Sequence, residues 1–494
     1  MNTHEGECPV QGWRKNGSVG LLAVVSAITG TDAVSQIIDP RSTMDTEARG
    51  HVAAASAHHL CAGMFVVGRD HPRTVEEVLA MDISRFPEFR WHDDFEYAVD
   101  MDAKTATVWG PGIVPARKAR YHGDQGCTIL PVGASEIFFE PVDVDSKLPE
   151  PASQPWPLGD VDAYGTFVEI DQAALDAAFD WGMSRDDQNT RALVVAYHGK
   201  IIGERYAEGF GKNTPQLSWS QGKSITAALV GLLAEQGEIS LDEPAPVIEW
   251  HGLEDPRKDI KVRDLLNMSS GLEFQNYDDG DRIDSWSASN EHSRIYFDGI
   301  NVFELAINQP LELSPGTRFR YRNSDPLALG KIIREVVEAR GESYLQFPQK
   351  ALFDRIGARN FVLETDAWGN FIMTGYDFGS AWDWIRFGLL HLWDGVFEGN
   401  RILAEGWVEF VTTPAPGDPT RSYGGLFWLN RGRSMDRVPE DAFWSSGYMG
   451  QRTVVIPSAD LVVVRLGPSP RGSQGFMNEF IGRILDAIGP RHIE

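Results

Sequence analysis

Two strand-like stretches lie far apart in the chain. Leu193–Tyr197 (LVVAY), a turn at His198-Gly199-Lys200 and the run to Ala207 (IIGERYA) predict a β-hairpin. Thr453–Ile456 and Leu461–Leu466, joined by Pro457-Ser458-Ala459-Asp460, predict another. Phe476, Met477, Phe480, Ile481, Ile484, Leu485 and Ile488 follow at helical spacing, so the sequence closes on an amphipathic helix. Between these regions, residues 220–410 carry mostly helical patterns and long loops. The pattern predicts an α/β (α+β) fold, with an antiparallel sheet made from both ends of this region, helices covering it, and a large helical insertion.

The N-terminal part reads differently. Residues 49–140 predict a small α+β domain. Its elements are a strand-like run at Met64–Val67, a short helix from Thr74 to Leu79, and a strand pair within Tyr97–Trp109 around Asp102-Ala103-Lys104. Residues 141–160 hold five prolines and no periodicity, which predicts a linker and leaves 161–494 as the main domain. Residues 1–48 read as a leader. Arg14 and Lys15 precede the apolar Gly20–Ile28, as in a secretory signal, but Glu5 and Glu7 lie upstream and no clean cleavage site follows. A disordered leader is the equal alternative.

Composition narrows the function. With 42% hydrophobic and 23% charged residues the 494-residue chain is globular. A net charge of −26 argues against a nucleic-acid partner, since the densest basic cluster is only Arg117, Lys118 and Arg120. No run reaches the ~18–20 apolar residues of a membrane-spanning helix. Three cysteines cannot frame a fold of this size. Cys61 and Cys127 are open to one disulfide or to two buried thiols. His58-His59 lacks the partner spacing of a metal site, so no metal or cofactor is expected.

The chemistry concentrates around Ser218-Trp219-Ser220-Gln221-Gly222-Lys223-Ser224, which opens a helix pattern at Ile225, Leu229, Leu232 and Leu233. As a phosphate loop it fails, because Leu217 stands where the first glycine belongs. As a nucleophile elbow around Ser220 it has Ser218 in place of glycine and lacks the alternating strands and helices of that fold. The remaining reading is S-x-x-K. Three residues apart on a helix, Ser220 and Lys223 share a face, so the amine can reach the hydroxyl. A serine at a helix start also places its N–H where a developing oxyanion can use it. A serine cap followed by a solvated lysine is the bland alternative for this tetrad alone.

Further along, Pro315-Gly316-Thr317 leads into Tyr321-Arg322-Asn323, and Trp444-Ser445-Ser446-Gly447-Tyr448 precedes the last hairpin. Taken together, S-x-x-K, P-G-T, Y-x-N and this Gly-containing strand entry resemble the serine β-lactamase and penicillin-binding-protein-like family. The nearest branch is that of class C β-lactamases, family VIII esterases and 6-aminohexanoate-oligomer hydrolases. Ile260–Phe274 looks like that family's segment between the first two motifs, and the resemblance spans roughly residues 160–490. It implies a β-lactamase-like antiparallel sheet flanked by helices, with a helical subdomain.

The resemblance implies that Ser220 is a nucleophile forming an acyl-enzyme, with Lys223 and Tyr321 as a proton-sharing base pair. Their reference pKa values, about 10.4 and 10, must fall by roughly 3 pH units, about 4 kcal/mol, for work at neutral pH. Asn323 is expected to hold Lys223 and the substrate carbonyl side, with the N–H groups of Ser220 and Tyr448 as the oxyanion hole. The third motif departs from the family, with Ser445-Ser446-Gly447 where Lys or His usually leads. The lost cation makes β-lactams and peptidoglycan stem peptides poorer candidates than uncharged esters or amides, although Arg452 could restore charge nearby. Trp219, Trp286 and Tyr448 are candidate pocket walls. The acidic stretch Asn276–Gly299, with Asp278, Asp279, Asp281, Asp284 and Glu291, reads as a long loop, solvated or facing a cationic amine.

The function the resemblance implies is that of a serine hydrolase cleaving an amide or ester of a small molecule or short oligomer through a Ser220 acyl-enzyme, like a 6-aminohexanoate-oligomer hydrolase or an esterase rather than a D-aminopeptidase or a β-lactamase. A non-catalytic binding protein or sensor on the same fold is the alternative. The N-terminal region carries no motif with chemistry, and covering the site mouth or forming a homodimer surface are its architectural expectations. A leader and a Cys61–Cys127 bond would both point to a periplasmic or secreted protein, with a cytoplasmic one as the alternative.

Overall fold

A computed structural model describes residues 40–86, 89, 92–276, 291–469 and 473–489. The apolar Gly20–Ile28 and most of the expected leader lie outside the described residues. The helix α1 (Pro40–Ala62) comes first, and from Val52 to Ala62 it is buried on every side. Its run of alanines and small residues lets neighbouring elements approach all round, as in a core helix. Met64–Val67, expected as a strand, instead continues α1 as a wide helical turn. An established helix extends more easily than a new strand nucleates, and Gly63 permits the Val78 side chain to pack tightly there.

Strands β1 (Glu96–Asp100), β2 (Thr105–Trp109), β3 (Arg117–Tyr121) and β4 (Cys127–Ile129) follow as an antiparallel meander. The predicted pair is β1 and β2, in register from Glu96↔Trp109 to Asp100↔Thr105. Cys61 and Cys127 form a disulfide that ties α1 to β4. The proline-rich stretch 141–160 is packed against the body. Prolines cannot donate, and the exposed carbonyls of this stretch are taken up by arginines. Arg386 binds Pro157 O and Gly159 O, and Arg359 binds Pro149 O and Leu158 O.

Helix α2 (Gln172–Met183) is capped by Asp171, which accepts from Ala174 N. It leads into the predicted hairpin of β5 (Ala192–Tyr197) and β6 (Lys200–Tyr206). Next come the short β7 (Gln216–Leu217) and helices α3 (Gly222–Glu235), α4 (Glu291–Phe297) and α5 (Ser324–Ala339). Strands β8 (Val362–Leu363) and β9 (Asp377–Gly379) form a three-stranded sheet with β7, β9 in the middle. Helix α6 (Ala381–Leu392) precedes β10 (Trp428–Leu429), β11 (Phe443–Gly447), β12 (Gln451–Ile456), β13 (Leu461–Leu466) and α7 (Gln474–Ile488).

The large sheet runs β10-β11-β12-β13-β5-β6, antiparallel throughout, so the hairpins near residues 200 and 460 join with Val463 opposite Val195. Strand β5 is buried on both faces, which is why its sequence is apolar without alternation. Leu193, Val195 and Tyr197 face one core with α2 and α7, while Ala192, Val194 and Ala196 face the other. That second core also contains α1, α3 and α6, so residues 52–129 share it with the main body. Residues 41–494 form one compact unit. No helix among the described residues is long and apolar enough to cross a membrane.

Helix α6 lies so close to the sheet that a Cβ at Gly388 would sit 2.4 Å from Val462 Cγ1. Overpacking this contact costs about 1–3 kcal/mol. Gly388→Val is expected to lower the denaturant midpoint accordingly, without altering the slope of the unfolding transition.

Candidate active site

Ser220 lies in the tight turn Trp219–Gln221 that leads directly into α3, and Lys223 falls one turn in, as the S-x-x-K spacing requires. Lys223 Nζ donates to Ser220 Oγ at 2.8 Å and to the carbonyl of Thr374 at 2.9 Å. Ser220 Oγ donates to the same carbonyl at 3.1 Å. Lys223 is 1% exposed, whereas Ser220 is only half-buried, so the amine is enclosed and the hydroxyl reachable. Burial pulls the Lys223 pKa down to about 7, and Asp377 partly opposes the shift. Asp377, itself buried, is held well above the carboxylate range by desolvation. It sits under the first turn of α3 because Gly222 has no side chain. A Cβ there would lie 2.3 Å from Asp377 Oδ1.

The second motif closes the site from α5. The Tyr321 ring centroid is 5.0 Å from Lys223 Nζ, and the ring stacks on Trp428 at 5.5 Å. Asn323, expected beside Lys223, turns its amide nitrogen to His292 Nδ1 at 3.0 Å and to the Tyr296 hydroxyl at 3.2 Å. Tyr296 in turn donates to Thr374 O at 2.9 Å. Burial, then the nearby Lys223, lowers the His292 pKa to about 3, so the imidazole is neutral.

The third motif arrives on β11. A Cβ at Gly447 would stand 1.9 Å from Ser218 O, so this strand end presses directly on the turn that carries Ser220. Ser445 donates to Gln221 Oε1 at 2.8 Å, and Thr453 on β12 donates to the same atom at 2.9 Å. The buried Ser445 hydroxyl is thus tied down within the protein. Arg452 reaches back along its own strand pair to Ser446 Oγ and to Gly447 O. Burial brings its guanidinium down to about 10, with Tyr321 opposing. Trp219 and Tyr448 meet edge to face at 5.6 Å, the first buried and the second exposed. Trp286, Asp278, Asp279, Asp281 and Asp284 lie outside the described residues. Glu291, expected in a loop, begins α4 and accepts from Gln275 N at 3.0 Å.

Trp219 and Met449 are non-glycine residues in left-handed backbone, at φ 52° and 55°. Such a conformation costs roughly 1–2 kcal/mol per residue. Here the two flank the place where Ser220 and Tyr448 converge.

A family model described as beta-lactamase matches residues 175–478. The chain belongs to the beta-lactamase family. Membership makes it a hydrolase of amide or ester bonds. A 6-aminohexanoate-dimer hydrolase of Paenarthrobacter ureafaciens is 25% identical over 328 residues, spanning 60% of this chain and 79% of its own. Among solved structures, a candidate 6-aminohexanoate-dimer hydrolase of Bacillus anthracis superposes with a TM-score of 0.52 at 23% identity. The match covers 61% of this chain and 80% of that one. A family VIII carboxylesterase superposes with a TM-score of 0.50 at 17% identity, covering 65% and 97%. These two likenesses establish the fold. Helix α1 and strands β1–β4 lie outside the matched range of this beta-lactamase family member.

Thr374, His292, Tyr296 and Asp377 were not singled out from sequence. His292 and Tyr296 are four residues apart on α4, a spacing that would have flagged them had the helix been recognised. Thr374 contributes only a carbonyl, for which side-chain chemistry gives no signal. Gln221 holds two buried hydroxyls at once. Gln221→Met is therefore expected to cost about 2 kcal/mol, from unmet donors. Chemical denaturation should show it more destabilising than Ser445→Ala alone.

Proposed function

We propose that the protein hydrolyses an amide or ester of a small molecule or short oligomer through an acyl-enzyme on Ser220. The contact between Lys223 Nζ and Ser220 Oγ at 2.8 Å, made by an amine whose pKa burial has lowered to about 7, carries this reading. A hydroxyl needs a base to become nucleophilic, and an amine half neutral near pH 7 is matched to that task.

In the forward step neutral Lys223 takes the Ser220 proton as Oγ bonds to the substrate carbonyl carbon. The resulting oxyanion is received by the N–H groups of Ser220 and Tyr448, at the start of α3 and the end of β11. The carbonyl-to-leaving-group bond then breaks, and the proton held by Lys223 leaves with the amine or alcohol. Tyr321, whose ring centroid lies 5.0 Å from the amine, is the second group assigned to this proton transfer, acting through its hydroxyl. Water attacks the ester carbonyl, gives its proton back through Lys223 to Ser220, and releases the acid.

Substrate preference follows from the third motif. With Ser445 bonded to Gln221 and Arg452 folded onto Ser446 and Gly447, no lysine or histidine stands at the motif's first position to meet a carboxylate. Linear, uncharged or amino-terminated amides and esters fit better than β-lactams. The 6-aminohexanoate dimer named for a relative is a short linear amide that ends in a carboxylate, so the free dimer and its carboxyl-capped ester are the first pair of compounds to test.

A fluorophosphonate probe followed by intact mass is expected to add one adduct to the wild type and none to Ser220→Ala. No adduct on either would overturn the Ser220 acyl-enzyme. The labelling rate should rise with pH through a midpoint near 7, because only the neutral amine can accept the serine proton. A flat profile from pH 5 to 9 would remove Lys223 from that role.

A further inference from the structure

Helix α1 lies outside the family match, yet it reaches the innermost part of the site. The segment from Glu364 to Tyr376 folds back on itself, Glu364 N pairing with Tyr376 O at 2.9 Å and Ile372 N with Glu364 O at 2.9 Å. Between those two pairings, beside Glu364, it presents Thr374 O, the carbonyl shared by Ser220 and Lys223. His58 of α1 fills the notch behind it. Its Nε2 meets Glu364 Oε2, and its ring lies flat on Tyr376 with centroids 3.7 Å apart.

From Tyr376 the contacts run on to the reacting groups. The Tyr376 hydroxyl donates to Tyr296 O at 2.9 Å, and the Tyr296 hydroxyl donates to Thr374 O at 2.9 Å. Gly375 leaves room for this crossing, since a Cβ there would fall 2.6 Å from Tyr296 Cε1. The neighbouring His59 packs on Trp219 at 5.8 Å, next to Ser220 itself. Glu364 is steadied on its other oxygen by Cys127 N at 2.7 Å, beside the disulfide that anchors α1.

We propose that His58 is a positioning residue, through which α1 fixes the Thr374 carbonyl and with it the geometry of Ser220 and Lys223. This rests on the hydrolase reading for its consequence, though not for its geometry. Burial keeps the His58 imidazole neutral, at about 3, and pushes Glu364 well above the carboxylate range. The contact thus joins two groups whose charged forms burial disfavours. A misplacement of about 1 Å at reacting groups can cost two orders of magnitude in rate, so a partial shift is enough to be seen.

The experiment compares the full-length wild type with His58→Ala and Tyr376→Phe. Fluorophosphonate labelling of Ser220 should slow by about tenfold in each, while the melting temperature of Tyr376→Phe stays near that of the wild type. Labelling at the wild-type rate in both variants would overturn the proposal, and a lowered melting temperature with unchanged labelling would reduce α1 to a scaffold. Should His58→Ala fail to fold, His58→Gln, which keeps a polar group toward Glu364 and removes the ring from Tyr376, takes its place.

A second readout does not need turnover. The pH midpoint for acetylation of Lys223 by acetic anhydride, followed by peptide mass spectrometry, should move by about 0.5 pH unit in Tyr376→Phe. Asp377, His292 and Tyr321, the titratable groups that face Lys223, are unchanged in that variant. If the wild type takes no fluorophosphonate, the hydrolase reading fails and this midpoint still judges the positioning role. Identical midpoints would end it.

Discussion

An amine sealed inside the protein governs the arrangement around it. Removing a lysine ammonium from water costs several kcal/mol unless partners replace the solvent. At Lys223 the replacement is partial, consisting of a hydroxyl, a carbonyl, an aromatic face and a carboxyl whose charged form desolvation disfavours. A tight carboxylate partner would have held the amine charged. The compromise instead brings it down to about 7, a difference of roughly 5 kcal/mol from its value in water. The enclosing walls are supplied by α3, buried from Gly222 to Leu233, and by β9 beneath it.

Much of this architecture was written in local pattern. The hairpins near residues 200 and 460 were legible because a strand buried on both faces must be apolar at consecutive positions, as in LVVAY. The S-x-x-K spacing likewise placed Ser220 and Lys223 together, since the helix itself fixes that distance. Legibility ended where contact depends on distant chain. Met64–Val67 has strand-forming residues, but α1 runs through it, and no window of a few residues reveals a helix's momentum. Thr374 lies 154 residues from Ser220 and offers only a backbone atom. Asn323 is expected at Lys223, but its amide nitrogen goes to His292 and Tyr296, partners hidden until α4 is visible.

The site is also held by backbone that resists being where it is. Trp219 and Met449 stand in the left-handed region, one before Ser220 and one after Tyr448. Their neighbours leave little choice. Strand β11 bears on the Ser218 carbonyl through Gly447, and His59, Tyr296 and Tyr448 crowd the indole. Strain maintained by packing is a common companion of reactive groups. It means that the first and third motifs depend on the same few contacts.

The pairing of β5 with β13 has a consequence for the life of the chain before it is finished. Strand β5 emerges from the ribosome long before its partner, and until residues 461–466 are made one edge of the β5–β6 hairpin stays open. Domains tend to fold as units during synthesis, and non-local strand pairing is slow because distant segments must first meet. A nascent chain therefore carries the S-x-x-K helix without the sheet that supports it. While residues 207–460 are made, that edge of the hairpin has no partner strand, and an unpaired apolar edge is a template for pairing with other chains.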